Sequence, residues 1–249
     1  MTARMITIVS FLFLTAPAPG QLPDTHGQSP TRSEVILDDF EGYAVKGLPT
    51  RWSTYVKRGD FRPVSPEMMS SDEYFEILEE DGNQFVRGTV HNQAHRILMA
   101  NGEHMDWSVS EHPYLTWKWR AIDIPEGARE DKKDLNDSAA AVYVIFDRNW
   151  LGIPRIIKYV YSSTLPVGTT VSDGRLKVLV VASASQKGIG KWMTATRNIE
   201  ADYRWLHGGD PPDRPIAIML WTDSDSVPDS LAIADFDDVA ISSDGLIRQ

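Results

Sequence analysis

The stretch Tyr114-Leu-Thr-Trp-Lys-Trp-Arg120 alternates large apolar and polar side chains without a break. A period of two is the signature of an extended strand with one face on a core. It puts Leu115, Trp117 and Trp119 on one face and Thr116, Lys118 and Arg120 on the other. Tryptophans that share a face with a leucine read as core. Further on, Ile157, Tyr159 and Tyr161 share a face in the same way. From Ala139 to Phe146 both faces are apolar, which marks a central strand covered on both sides.

Working outward, short runs rich in Val, Ile, Tyr, Trp and Thr recur between Gly, Pro, Asp and Asn. They predict strands over Val35–Phe40, Trp52–Lys57, Tyr74–Leu78, Gln84–Val90, Ala94–Met99 and Pro113–Ala121. Further strands are expected over Ala139–Asp147, Ile156–Ser162, Leu176–Ser183, Trp192–Arg197, Ile216–Thr222 and Ser230–Ile241. Only Ile199–His207 reads as a helix. Many strands with one short helix predict an all-β chain, a β-sandwich of jelly-roll type.

The first twenty residues read as a signal peptide. Arg4 supplies the positive charge, Ile6 to Ala16 a short apolar run, and Ala18-Pro-Gly20 the small residues before a cut at Gln21. That run is about half of the ~20 residues a spanning helix needs, so no membrane span is expected after cleavage. Residues 21–33 are a Pro-, Gly-, Ser- and Thr-rich lead-in, and residues 34–243 are expected to form one domain. The expected compartment is periplasmic or secreted. The chain has no cysteine, so the core alone must hold it together. The net charge is −10, and removing Arg4 with the signal leaves −11, which argues against nucleic acid or an anionic membrane as partner.

Between Arg197 and Asp225 acids, arginines and large aromatics crowd around a break in the strand pattern. Polar groups gathered at strand ends are where binding or chemistry usually sits. Five blocks in the middle and C-terminal parts of the chain together resemble the DUF3047 family of uncharacterised bacterial exported proteins. They are Leu115-Thr-Trp-Lys-Trp-Arg120, Asn136-Asp-Ser-Ala-Ala-Ala-Val-Tyr-Val-Ile-Phe146, Lys158-Tyr-Val-Tyr161, Arg197-Asn-Ile-Glu-Ala-Asp-Tyr203 and Ile216-Ala-Ile-Met-Leu-Trp-Thr-Asp-Ser-Asp225. The chain departs from that family's pattern at Asn136, Tyr161 and Ser226-Val227. The two ends of the chain, Val35-Ile-Leu-Asp-Asp-Phe-Glu41 and Ile233-Ala-Asp-Phe-Asp-Asp-Val-Ala-Ile241, resemble the opening and closing strands of jelly-roll carbohydrate-binding modules. That resemblance implies a structural calcium whose ligands would be Asp38, Asp39, Glu41, Asp237 and Asp238.

Two kinds of chemistry suit these residues. Glycoside cleavage needs two carboxyls ~5–10 Å apart, one of raised pKa; the candidate catalytic acids are Asp137, Asp202, Asp223 and Asp225. Against this, Asp202 can pair with Arg197 or Arg204, and an arginine-held carboxylate is a poor general acid. Glycan binding needs aromatic faces and planar polar groups; the candidates are Tyr159, Tyr161, Trp205 and Trp221 with Arg120 and Arg197. His91 and His95 would share a face if one strand ran through both, but two histidines alone do not make a zinc site. The reading is an exported, non-catalytic glycan-binding module whose partner is a polysaccharide or oligosaccharide. A carbohydrate-active enzyme and a structural envelope protein without small ligand are the alternatives.

Overall fold

The structure, a computed structural model, describes residues 33–57, 60–185 and 188–246. The expected signal peptide and residues 21–32 of the lead-in lie outside the described residues. All described residues fall in one compact unit that begins at Arg32.

Among the described residues there are fourteen strands and one α-helix. In chain order the strands are β1 (Glu34–Asp38), β2 (Ser53–Lys57), β3 (Asp60–Pro63), β4 (Glu73–Glu80), β5 (Asn83–His91), β6 (Ala94–Ala100) and β7 (Tyr114–Asp123). They continue with β8 (Ala140–Arg148), β9 (Pro154–Ser162), β10 (Thr170–Asp173), β11 (Leu176–Ser183), β12 (Met193–Asn198), β13 (Ala217–Asp223) and β14 (Leu231–Ser242); helix α1 is Ile199–His207. Six strands form one sheet in the order β12-β7-β14-β5-β4, with β1 beside β14. Eight form the other, in the order β10-β11-β9-β8-β13-β6-β2-β3. Every pairing is antiparallel except β9 with β11. The chain is an all-β sandwich of jelly-roll type, as its alternation predicts.

Leu115, Trp117 and Trp119 of β7 are fully buried and meet Tyr159 and Tyr161 of β9 between the sheets. Each such side chain contributes about 2–3 kcal/mol through its burial. Strand β8 is buried from Ala140 to Phe146, on both faces. Helix α1 starts where the Asn198 side chain accepts a hydrogen bond from the Ala201 N–H (2.8 Å), and it stops at Gly208, whose φ of 75° favours glycine. His91 and His95 do not share a strand: Asn92, with φ of 51°, turns the chain between β5 and β6. His91 is exposed and His95 is buried.

Strand β14 lies at the centre of its sheet. One edge pairs with β7 along most of its length. The other edge pairs first with β5, through residues 231–236, and then with β1, through residues 239–242. The change of partner falls at Asp238, whose φ of 46° makes a bulge.

Candidate functional site on the eight-stranded sheet

The outer face of the eight-stranded sheet follows from the pleat. On β13 the residues Ala217, Met219, Trp221 and Asp223 point away from the sandwich core, since Ile218 and Leu220 pack inside it. The register places Tyr143 of β8 opposite Lys158 of β9, and Trp221 of β13 opposite Arg96 of β6. Tyr55 of β2 pairs with Phe61 of β3. These six side chains form one file across six neighbouring strands. The Lys158 ammonium lies 5.5 Å from the Tyr143 ring centre, and the Tyr143 and Trp221 rings stack at 5.1 Å. The Arg96 guanidinium sits between Trp221 (4.5 Å) and Tyr55 (4.9 Å), and Tyr55 meets Phe61 edge-on at 5.6 Å. Tyr55 is 39% exposed, Arg96, Trp221 and Phe61 are half-buried, and Lys158 and Tyr143 are buried. The indole N–H of Trp221 is buried with no hydrogen-bond acceptor.

Beside Lys158 the face opens into a cleft of about 320 Å³, bounded by Glu130, Asn136, Val171, Asp173 and Val178. Glu130 comes from the charged loop between β7 and β8, which folds back so that Thr164 donates to the Ala128 carbonyl (2.9 Å) and Ser163 to the Pro125 carbonyl (3.0 Å). Glu130 accepts from Ser162 Oγ at 2.6 Å. Burial raises its carboxyl above the ordinary range, against the pull of Ser162 and Lys158. Burial alone would lower the Lys158 ammonium, but Tyr143, Asp223 and Glu130 hold it above its usual value.

Three acids meet at the end of β13. One carboxylate oxygen from each of Asp137, Asp223 and Asp225 lies within 4.8 Å of the others. Asp137 is fully buried and accepts from the N–H groups of Ser226 (2.9 Å) and Val227 (2.7 Å), which ties the start of β8 to the loop after β13. Asp223 is 6% exposed, and its Oδ1 is buried with no hydrogen-bond donor. Its pKa is pushed up to about 7, chiefly by burial; Lys158 opposes this, and Asp225 and Asp137 add to it. Asp225 is exposed. Such a cluster can retain a proton at neutral pH or give it up to a cation.

The other residues singled out in the sequence lie elsewhere. Asp202 is on the buried side of α1, where Arg197 grips it through Nε (2.8 Å) and Tyr159 donates to it at 2.9 Å. Both Tyr159 and Tyr161 face the core, so neither offers a ring to a ligand. Arg120 lies on the outer face of the six-stranded sheet, bonded to Asp235 (2.6 Å) and Glu80 (2.7 Å) and packed on Trp192 and Phe85. Trp205 is 60% exposed on α1 and takes no part in the file. The acids at the two ends of the chain are engaged separately. Asp38 accepts from Tyr43 (2.6 Å) and Trp52 (2.8 Å), Asp39 from the Glu41 N–H (3.3 Å) and Glu41 from the Gln84 N–H (2.8 Å). Asp237 accepts from Asn83 (3.0 Å), and Asp238 pairs with Lys118 (2.5 Å). These five do not gather as a metal cluster among the described residues, where only Asp137, Asp223 and Asp225 do so. Asp237 and Asp238 lie together beside Lys118 on the six-stranded sheet, while Asp38 is held inside by Tyr43 and Trp52.

Sequence reasoning missed Lys158, Tyr143, Arg96, Tyr55, Phe61 and Glu130. The signal that could have found Lys158 is a lone cation inside an otherwise apolar central strand. Among the described residues no helix is long and apolar enough to cross a membrane.

A model of the DUF3047 family, described as proteins of unknown function, matches residues 60–240. No curated protein matches the chain. Similar solved structures include the family 11 carbohydrate-binding module of the cellulosomal cellulase Lic26A-Cel5E of Clostridium thermocellum. It is 10% identical, with a TM-score of 0.42 and coverage of 87% of this chain and 97% of that one. The family 30 carbohydrate-binding module of the cellulase Cel9D-Cel44B of the same organism is 12% identical, with a TM-score of 0.42 and coverage of 84% and 98%. The CBM27-1 module of Caldicellulosiruptor saccharolyticus, in complex with mannohexaose, is 11% identical, with a TM-score of 0.38 and coverage of 86% and 99%. At these scores the likeness assigns no ligand.

Proposed function

This chain belongs to the DUF3047 family, and we propose that it is an exported, non-catalytic module that binds a glycan along the outer face of its eight-stranded sheet. The observation that carries this reading is the file Lys158–Tyr143–Trp221–Arg96–Tyr55–Phe61. Its accessible part, from Trp221 to Phe61, crosses four strands and at a spacing near 4.8 Å runs for roughly 14 Å, a length suited to an oligosaccharide rather than a single sugar. Sugars present apolar C–H faces ringed by hydroxyls. Tyr55 and Phe61 offer apolar surface, while the half-buried Arg96 guanidinium offers donors. The cleft at Glu130 and Asn136 supplies polar groups at the other end.

The test is a glycan array followed by calorimetric titration of the best polysaccharide. Tyr55→Ala and Arg96→Ala are expected to weaken binding at least tenfold, while Trp205→Ala on α1 leaves it unchanged. An array without hits, or a Tyr55→Ala protein that binds like the parent, overturns the proposal. Release of a cleaved product would overturn the non-catalytic part alone.

A further inference from the structure

We infer that Asp137, Asp223 and Asp225 form a binding site for a hard divalent cation, calcium by chemical class, at the end of β13. Clustering alone would not carry this, because exposed acids gather without a metal. The independent observation is Asp223: it is 6% exposed, and its Oδ1 is buried with no donor. A buried carboxylate oxygen left unsatisfied is costly, and native structures rarely keep one without a partner.

The surroundings fit a cation. Asp137 is fixed by two backbone N–H groups that engage one lone pair on each oxygen, leaving others for a metal. Asp225 is exposed and supplies the entry side. Ser226 Oγ, 3.2 Å from Asp225 Oδ1 and 3.0 Å from Asn136 Oδ1, adds neutral oxygens nearby. Calcium takes six to eight oxygens in a tolerant geometry and accepts water for the remainder, whereas magnesium demands a near-ideal octahedron. A loop offering three carboxylates and hydroxyl or amide oxygens therefore suits calcium. Lys158 acts on Asp223 through space. With three acids against one ammonium, the formal charge at the site remains −2. The site differs in place and residues from the set Asp38, Asp39, Glu41, Asp237 and Asp238 that the carbohydrate-module resemblance implies.

The probe is calcium alone, added to chelator-treated full-length protein without any glycan, so its outcome is independent of the sugar reading. Calcium at about 100 times its dissociation constant is expected to raise the melting temperature by roughly 5–10 °C. Asp225→Asn, an exposed change that leaves the fold intact, should weaken calcium at least tenfold and abolish most of that shift; Asp223→Asn should do the same. Asp238→Asn, on the six-stranded sheet, should keep the full shift. The inference is overturned if calcium at millimolar concentration gives no shift in the parent protein, or if Asp225→Asn responds as the parent does.

Discussion

His95 packs against the Phe75 ring inside the sandwich, 5.4 Å between ring centres, and its Nε2 is buried with no partner. Burial, helped by Arg96, drives its pKa down from 6.5 to about 4. The unfolded chain takes up a proton near pH 6.5 that the folded chain accepts only near pH 4. Stability is therefore present above pH 6.5 and is lost as the pH falls through that window. His95→Phe removes this contribution. Its chemical-denaturation stability, followed from pH 8 to pH 4, should fall less than that of the parent, by about 3 kcal/mol; parallel profiles would refute the assignment. Asp202 is the opposite case, a buried carboxylate wholly engaged by Arg197 and Tyr159. Asp202→Ala strands a guanidinium and should destabilise the fold by about 3 kcal/mol in the same assay, without affecting glycan or calcium binding.

At the scale of elements, alternation made most strands legible, because a face buried between sheets enforces a period of two. The missed strands are β3 (Asp60-Phe-Arg-Pro63) and β10 (Thr170-Val-Ser-Asp173). Each is a four-residue edge strand with no buried face, so nothing in its side chains records the pairing. Helix α1 forms over the residues expected of it, and its Asn198 cap and the Gly208 that ends it account for those bounds. The acids at the end of β13 were visible as candidates, but their meeting with Asp137 was not. It depends on β13 lying beside β8, and many residues separate the two in sequence. The file of rings and cations was hidden for the same reason, being drawn from six strands that only the topology makes neighbours. Arg120 and Arg197 looked like ligand groups because their partners, Asp235 and Asp202, cannot be told from free acids in sequence. Packing between the sheets can be tested at Gly88 of β5. A Cβ there would lie 2.4 Å from Thr222 Oγ1 and 2.8 Å from the Phe75 ring. Gly88→Ala should cost about 1–3 kcal/mol, read as a lowered melting temperature, and a neutral result would mean the two sheets can part more easily than they appear packed.

Across the whole molecule, β14 is the element on which one sheet depends. Without it, β7 keeps only β12, β5 keeps only β4, and β1 has no partner. Truncation after Asp229 should therefore abolish the cooperative thermal transition seen by circular dichroism, although every residue of the proposed glycan file remains. A truncated chain that still melts cooperatively would show that the eight-stranded sheet stands alone. The same position sets an order of events in the cell. The strand that joins the sheet's parts is synthesised after every strand it joins, so the six-stranded sheet cannot close until residue 242 has been made.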